Sequence, residues 1–271
     1  MLFDHDFHVH TIYSNDTSKK ATVENYIPAA KAMGLKKVGI AEHFWDDTIE
    51  GAFPFYVPLT FQHVSQVRRE LEEFGDRGVE LFFGCEVEYD PVHHAPALSP
   101  KVAEQFDFVI VPNSHSHETM PKAYYDDKPM HKDFIMNAFR DIISCEVSPF
   151  VTGIAHPFSL VRSPYPCDDL IELVSDGEFA DLFGAAAEKG IALEINVGSL
   201  MGGLRQKGLT LENAEESQLL RMLRLGKQAG CKFFFGSDSH ATGHMEGLAN
   251  APAFAQLLAL TEDDIMPLAR G

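Results

Sequence analysis

The sequence predicts an α/β fold, a parallel (β/α) barrel with seven strands, and three observations carry that expectation. Seven short apolar, β-prone runs recur along the 271 residues, with helix-like segments between them. A glycine stands at four of the joints where a helix gives way to a strand: Gly34, Gly78, Gly190 and Gly230. Such a glycine supplies the left-handed cap that ends a helix before a short turn. The opposite connections, strand to helix, are long and irregular, which places the elaborate loops at the C-terminal ends of the strands, the working face of a barrel. An open doubly wound sheet is the alternative arrangement of the same elements.

In chain order the β-prone runs are residues 3–9, 37–41, 80–85, 106–111, 150–155, 191–196 and 232–236. Helices are expected over 23–33, 60–74, 132–145, 168–189 and 212–228, where apolar residues fall near helical spacing with charges between them. Strands that alternate with helices imply a parallel sheet. The connections 45–59, 89–99, 118–131 and 197–211 are rich in Pro, Gly, aromatic and charged residues and read as irregular loops. A chain of this length with 45% hydrophobic residues can bury one substantial core, and no seam divides it, so residues 1–271 are expected to form a single domain.

Composition excludes several functions. A net charge of −18 leaves no basic track for a long nucleic acid, which is held largely by Lys and Arg. Cys85, Cys145, Cys167 and Cys231 are scattered without a CxxC pair, which speaks against a disulfide framework or a zinc ribbon. The opening MLFDHDFHVH has no basic n-region or apolar h-region, and no apolar run reaches the ~20 residues that cross a bilayer. A cytoplasmic protein is expected, without a membrane partner; a homo-oligomer is compatible with the sequence but not required by it. No GxGxxG, GxxxxGK[ST] or GxSxG occurs, which removes the common nucleotide-binding and serine-hydrolase readings.

The thirteen histidines matter through their positions. The expected strands end, in order, at His8 and His10, at Glu42 and His43, at Glu86 and Glu88, at His115 and His117, at His156, at Glu194 and Asn196, and at Asp238 and His240. Residues two apart in a strand point the same way, and first and last strands are neighbours in a closed barrel, so His8, His10, Asp238 and His240 would converge. Imidazole with carboxylate is a ligand set for Zn, Mn or Fe. A single histidine near a loop is more often a hydrogen-bonded residue than a ligand. Such groups after nearly every strand are not explained that way. His5, His63, His93, His94, His131 and His244 fall outside the pattern and read as surface or loop residues, with His244 the nearest to a role at the site.

The ordered motifs HVHTIYSND (8–16), IAEHF (40–44), FGCEVE (83–88), NSHSH (113–117), GIAHP (153–157) and FGSDSH (235–240) resemble those of the PHP (polymerase and histidinol phosphatase) family. The resemblance implies a distorted (β/α)7 TIM-like barrel holding three divalent transition-metal ions, Zn, Mn or Fe, at the C-terminal ends of its strands. It implies that His8, His10, Glu86 and Asp238 hold one ion, that Glu86 bridges to a second held by His115 and His156, and that Asp16, His43 and His240 hold a third. Asp16 is chosen over Asn15 by its offset from His10, and His115 over His117 in NSHSH. Glu42, Glu88 and Glu194 would orient ligands or bind substrate.

The implied activity is hydrolysis of a small phosphomonoester resembling histidinol phosphate, a step of histidine biosynthesis, by a metal-activated hydroxide. His117, His240 and Asp238 are the candidate catalytic residues. Arg162, after HPFSLV, and Arg205, in GSLMGGLRQKG, are the candidate phosphate binders, because a guanidinium forms a bidentate fork with phosphate oxygens. The aromatic segment 44–56 would wall the pocket. Other readings are a nucleotide or oligonucleotide phosphoesterase of the same family, an amidohydrolase-like metal hydrolase, which would need a strand-end lysine that is absent, and a non-catalytic metal-binding regulatory barrel.

Overall fold

The computed structural model describes residues 3–75 and 77–270 of the chain. All seven expected strands form: β1 (His5–Val9), β2 (Lys37–Phe44), β3 (Glu80–Val87), β4 (Phe108–Pro112), β5 (Gly153–Ala155), β6 (Ala192–Asn196) and β7 (Phe233–Gly236). They lie side by side in sequence order as one parallel sheet. The two ends of the sheet then meet. Val9 bridges in parallel to Ser239, and the His10 N–H donates to the Ser239 carbonyl at 2.9 Å. Towards the other end of β1, side chains take over from the backbone ladder. The Phe235 N–H donates to His5 Nε2 at 3.0 Å, and Ser237 donates to the Asp6 carboxylate from its N–H at 3.0 Å and its hydroxyl at 2.6 Å. This closure makes the sheet a TIM-like barrel and excludes the open doubly wound sheet.

The departures from expectation have local causes. β2 and β3 run three and two residues past their apolar runs, to Phe44 and Val87, because Glu42, His43 and Glu86 stay in the ladder, with His43 opposite Glu86. Charged residues normally end a buried strand, but here the barrel interior receives them. The segment 168–189 is two helices, Cys167–Ile171 and Asp176–Glu188, since Ser175 and Glu178 form a reciprocal capping box that starts a new one. Likewise 60–74 divides into Phe61–Val64 and Val67–Phe74. The expected loop 197–211 is helical over Val197–Gln206: the Asn196 side chain accepts the Ser199 N–H at 2.9 Å, an N-cap that outweighs three glycines in the segment. The other long helices are Val23–Ala32, Lys128–Ser144 and Gln218–Gln228. All four joint glycines have left-handed φ, for example +72° at Gly190 and +93° at Gly230, as the helix-cap reading requires.

Aromatic rings fill the molecule below the site. Phe7 and Phe108 pack edge to face with centroids 5.2 Å apart, while Phe139, Phe158, Phe179 and Phe183 form a second stack under the outer helices. Among the described residues no helix is long and apolar enough to cross a membrane. Gly39 in β2 makes room for the first pair: a Cβ there would lie 2.6 Å from Phe108 Cζ and 2.8 Å from Phe7 Cδ1. Gly39→Ala is therefore expected to cost about 1–3 kcal/mol by overpacking, seen as a lower urea midpoint at unchanged slope; wild-type stability would contradict this packing.

Candidate metal centre

The polar layer sits on top of this apolar floor, at the C-terminal ends of the strands. Its centre is Glu86 on β3, a carboxylate with 1% exposure. Glu86 Oε1 lies 2.9 Å from His156 Nε2 and 3.9 Å from His115 Nε2, and Oε2 lies 2.9 Å from His43 Nδ1, 3.5 Å from His8 Nε2 and 3.6 Å from His10 Nε2. Asp238 Oδ1 approaches His10 Nε2 at 3.2 Å and His8 Nε2 at 3.6 Å. On the outer side Asp16 Oδ2 is 3.2 Å from His240 Nε2 and 3.5 Å from His43 Nε2. All nine residues expected as ligands are thus brought together. Asp238 and His156 hold their places with left-handed backbone, φ +53° and +28°, a costly conformation for non-glycine residues that the surrounding contacts must impose.

The donor chemistry fits cations. His8 Nε2, His10 Nε2, His43 Nδ1 and Glu86 Oε2 are buried side-chain atoms with no hydrogen-bond partner among the described residues, although they converge on one another. Unsatisfied polar atoms are rare in protein interiors, and a cluster of lone-pair donors aimed at one space is what an ion would satisfy. Among the described residues three overlapping sets have donor atoms mutually within 4.8 Å: His8, Glu86 and His156; His8, His10 and Asp238; His10, His43 and His240.

Electrostatics follows from this crowding. Burial opposes charge on His8, yet Glu194, Glu86 and Asp238 hold its pKa well above the usual histidine range. Burial, reinforced by His43 and His240, pushes His10 well below it. Burial also works against His43, but Asp16 and Glu86 raise it to about 10. Glu86 stays ionised against its burial, well below the usual carboxylate range, because His8, His156 and His43 surround it.

A second ring of residues aims the first. Glu194 accepts from His8 Nδ1 at 3.0 Å and from the His156 N–H at 2.5 Å, so the Nε2 lone pair of His8 faces the cluster. Glu88 does the same for His115 Nδ1 at 2.9 Å, while itself accepting from the Tyr56 hydroxyl at 2.6 Å. Ser114 Oγ meets His156 Nδ1 at 2.6 Å. Glu42 accepts from Ser14 Oγ at 2.6 Å and from Thr11, and Ser14 Oγ lies 3.3 Å from His10 Nδ1. The three strand-end glutamates therefore orient groups around the centre. The hydroxyl partners Thr11, Ser14 and Ser114 are not singled out by the sequence, since serine and threonine beside a ligand motif carry no spacing of their own.

The cluster opens into a cavity of about 230 Å³ lined by Asp16, His43, His115, Asp238 and His240 together with Phe55, Tyr56, His117, Glu118, Val161 and Arg162. His115 stands beside Glu86, whereas His117 stands on the cavity wall. Two aromatic residues of the 44–56 segment, Phe55 and Tyr56, do form part of that wall. Arg205 is not brought to the cavity: it is exposed in the last turn of the Val197–Gln206 helix. Among the histidines expected at the surface, His93, His94 and His244 are exposed and His63 is half-buried. His5 and His131 are not surface residues: they are 1% and 0% exposed, because each ring is bonded to a neighbouring segment.

Fold and centre together define a metal-binding (β/α)7 barrel. The chain belongs to the PHP domain family, whose model matches residues 6–198. A curated relative from Shewanella pealeana named "Probable phosphatase" is 28% identical over 87% of this chain and 76% of its own length. Another of that name, from Shewanella sp. strain MR-4, is 26% identical over 98% of this chain and 88% of its own. Histidinol phosphate phosphatase from Lactococcus lactis, solved with zinc, L-histidinol and phosphate, superposes with a TM-score of 0.62 at 18% identity, covering 95% of this chain and 94% of that one. The same barrel architecture is shared.

Gly236 allows Glu194 its position, since a Cβ there would run into Glu194 Oε1 and come 2.7 Å from His8 Cβ. Glu194→Gln is expected to weaken metal affinity about 10–100-fold by releasing His8, measured by chelator competition. Wild-type affinity would show that Glu194 does not orient the cluster.

Proposed function

We propose that the chain is a metal-dependent phosphatase that hydrolyses a small phosphomonoester, with a histidinol-phosphate-like compound as substrate. One observation carries the reading: the buried imidazole and carboxylate cluster opens directly into a small cavity whose lining also includes Arg162 and His117. The phosphatase names of the Shewanella relatives and the ligands of the Lactococcus lactis structure support the same chemistry.

Three divalent ions, Zn, Mn or Fe, are proposed: one held by His8, His10, Glu86 and Asp238, a second by Glu86, His115 and His156, and a third by Asp16, His43 and His240. Bound there, such ions supply Lewis-acid charge for phosphoryl oxygens and an acidified water as nucleophile. The protein's own residues do the rest. Arg162 offers a planar fork to the phosphate oxygens facing away from the cluster. His117 and His240 are the candidates to protonate the leaving alkoxide. Burial, with His115 beside it, lowers the His117 pKa to about 4, whereas against its burial Asp16 and Asp238 raise that of His240, so His240 is the one that holds a proton to give near neutral pH. Asp238 keeps His8 and His10 turned towards the reacting centre. Phe55, Tyr56 and Val161 give the alcohol an apolar surface, and the cavity size suits a small ester rather than a polymer.

The test is phosphate release from histidinol phosphate, nucleoside phosphates and sugar phosphates by stripped protein and by protein reconstituted with Mn or Zn. Release from one substrate class only after reconstitution is expected. Arg162→Ala should raise KM about tenfold or more, the worth of a charged hydrogen bond. Fully reconstituted protein that releases phosphate from none of these esters, or stripped protein that turns over appreciably, contradicts the proposal.

A further inference from the structure

His131 is a buried histidine that neither the metal cluster nor the proposed chemistry uses. It sits in the first turn of the Lys128–Ser144 helix, fully buried, and bonds to two other segments at once. Its Nδ1 lies 3.1 Å from the Tyr125 carbonyl and its Nε2 3.0 Å from Ser116 Oγ. A carbonyl can only accept, so Nδ1 carries the proton and donates. In the neutral ring Nε2 then accepts from the Ser116 hydroxyl. Ser116 stands between His115, beside Glu86, and His117, on the cavity wall.

The clasp extends to the arginine. Tyr125, whose ring lies 5.3 Å from that of His131, donates its hydroxyl to the Arg162 carbonyl. Tyr165 packs edge-on against His131 at 6.0 Å and donates its hydroxyl to the Asp126 carbonyl at 2.6 Å. Two loops are thereby knitted together, residues 116–126 and residues 158–165. The second loop needs holding. His156, Phe158 and Arg162 all have left-handed φ, +54° at Arg162, a region that non-glycine residues occupy only when their surroundings impose it. The Asn113 side chain accepts the Phe158 N–H at 3.0 Å and secures the near end. Tyr125 secures the far end.

We propose that His131 is a positioning residue for substrate binding: by tying Ser116 to Tyr125, and through Tyr125 to Arg162, it sets His117 and Arg162 on the cavity wall as one unit. The proposal rests on the phosphatase reading only in taking phosphate as the group that Arg162 receives. The clasp makes no bond to the side chain of a proposed metal ligand. Tyr125→Phe removes one half-buried hydroxyl and is the mild variant, whereas His131→Phe keeps the ring volume and removes both bonds.

Metal-loaded wild type, Tyr125→Phe and His131→Phe are compared by metal content, by hydrogen–deuterium exchange, by KM and kcat, and by inhibition with inorganic phosphate. Both variants are expected to keep wild-type metal content, to exchange faster in residues 158–165, and to raise KM and the phosphate inhibition constant about three- to tenfold, with a smaller change in kcat. His131→Asn, which restores the donor to Tyr125, should recover part of the loss. In an Arg162→Ala background Tyr125→Phe should add nothing, as for residues acting through one group. Unchanged exchange in 158–165 with unchanged phosphate inhibition overturns the proposal, and so does a Tyr125→Phe effect that persists without Arg162. Should the wild type hydrolyse no phosphate ester, the phosphatase reading fails, and the exchange data alone still decide whether the clasp holds the loop.

Discussion

The structure depends on one buried carboxylate. Glu86 sits in the barrel interior with five imidazoles directed at its two oxygens, at distances from 2.9 to 3.9 Å. A buried ion pair has to offset several kcal/mol of lost solvation for each charge, approximately, and does so only with close, well-directed partners. Protons can supply part of the positive charge, as the raised pKa values of His8 and His43 indicate. They cannot supply all of it, because imidazolium rings this close repel one another, and burial together with His43 and His240 drives His10 the other way. Positive charge placed between the rings resolves both demands, and divalent ions are the species that do it compactly.

Everything around Glu86 keeps that arrangement rigid. The aromatic floor of Phe7 and Phe108 fills the barrel beneath, so the polar layer has one depth at which to settle. Closure between β1 and β7 through Asp6, Ser237 and Ser239 fixes Asp238 beside His8 and His10. Carboxylates one layer out, Glu194 and Glu88, turn His8 and His115 so that the remaining nitrogen faces inward. The loops carrying Arg162 and His117 add the face at which a substrate would enter.

Much of this was legible in the sequence, for identifiable reasons. Strand number and order could be read because apolar runs alternate with helical periodicity and joint glycines mark the helix ends, as the left-handed φ of Gly190 and Gly230 shows. Ligand candidates could be read because His8 and His10, or Asp238 and His240, share a face at two-residue spacing. What escaped was set by contacts between distant segments. The helix Val197–Gln206 looked like a loop because its glycines argue against helix, while the Asn196 cap that decides the matter is one residue of local chemistry. His131 looked like a surface residue because burial by Tyr125, Tyr165 and Ser116 has no signature along the chain. Arg205 belongs to a motif-like stretch, yet the helix it joins turns it to solvent.

Glu86 is proposed to lie between ions and not between protons. Anomalous diffraction from crystals grown with Mn or Zn, collected on both sides of the absorption edge, tests it most directly. Peaks are expected within coordination distance of the His8, His10 and Asp238 donors, of the His115 and His156 donors, and of the Asp16, His43 and His240 donors, with Glu86 oxygens shared by the first two. No peak in the barrel mouth, or peaks that leave both Glu86 oxygens uncoordinated, would contradict it.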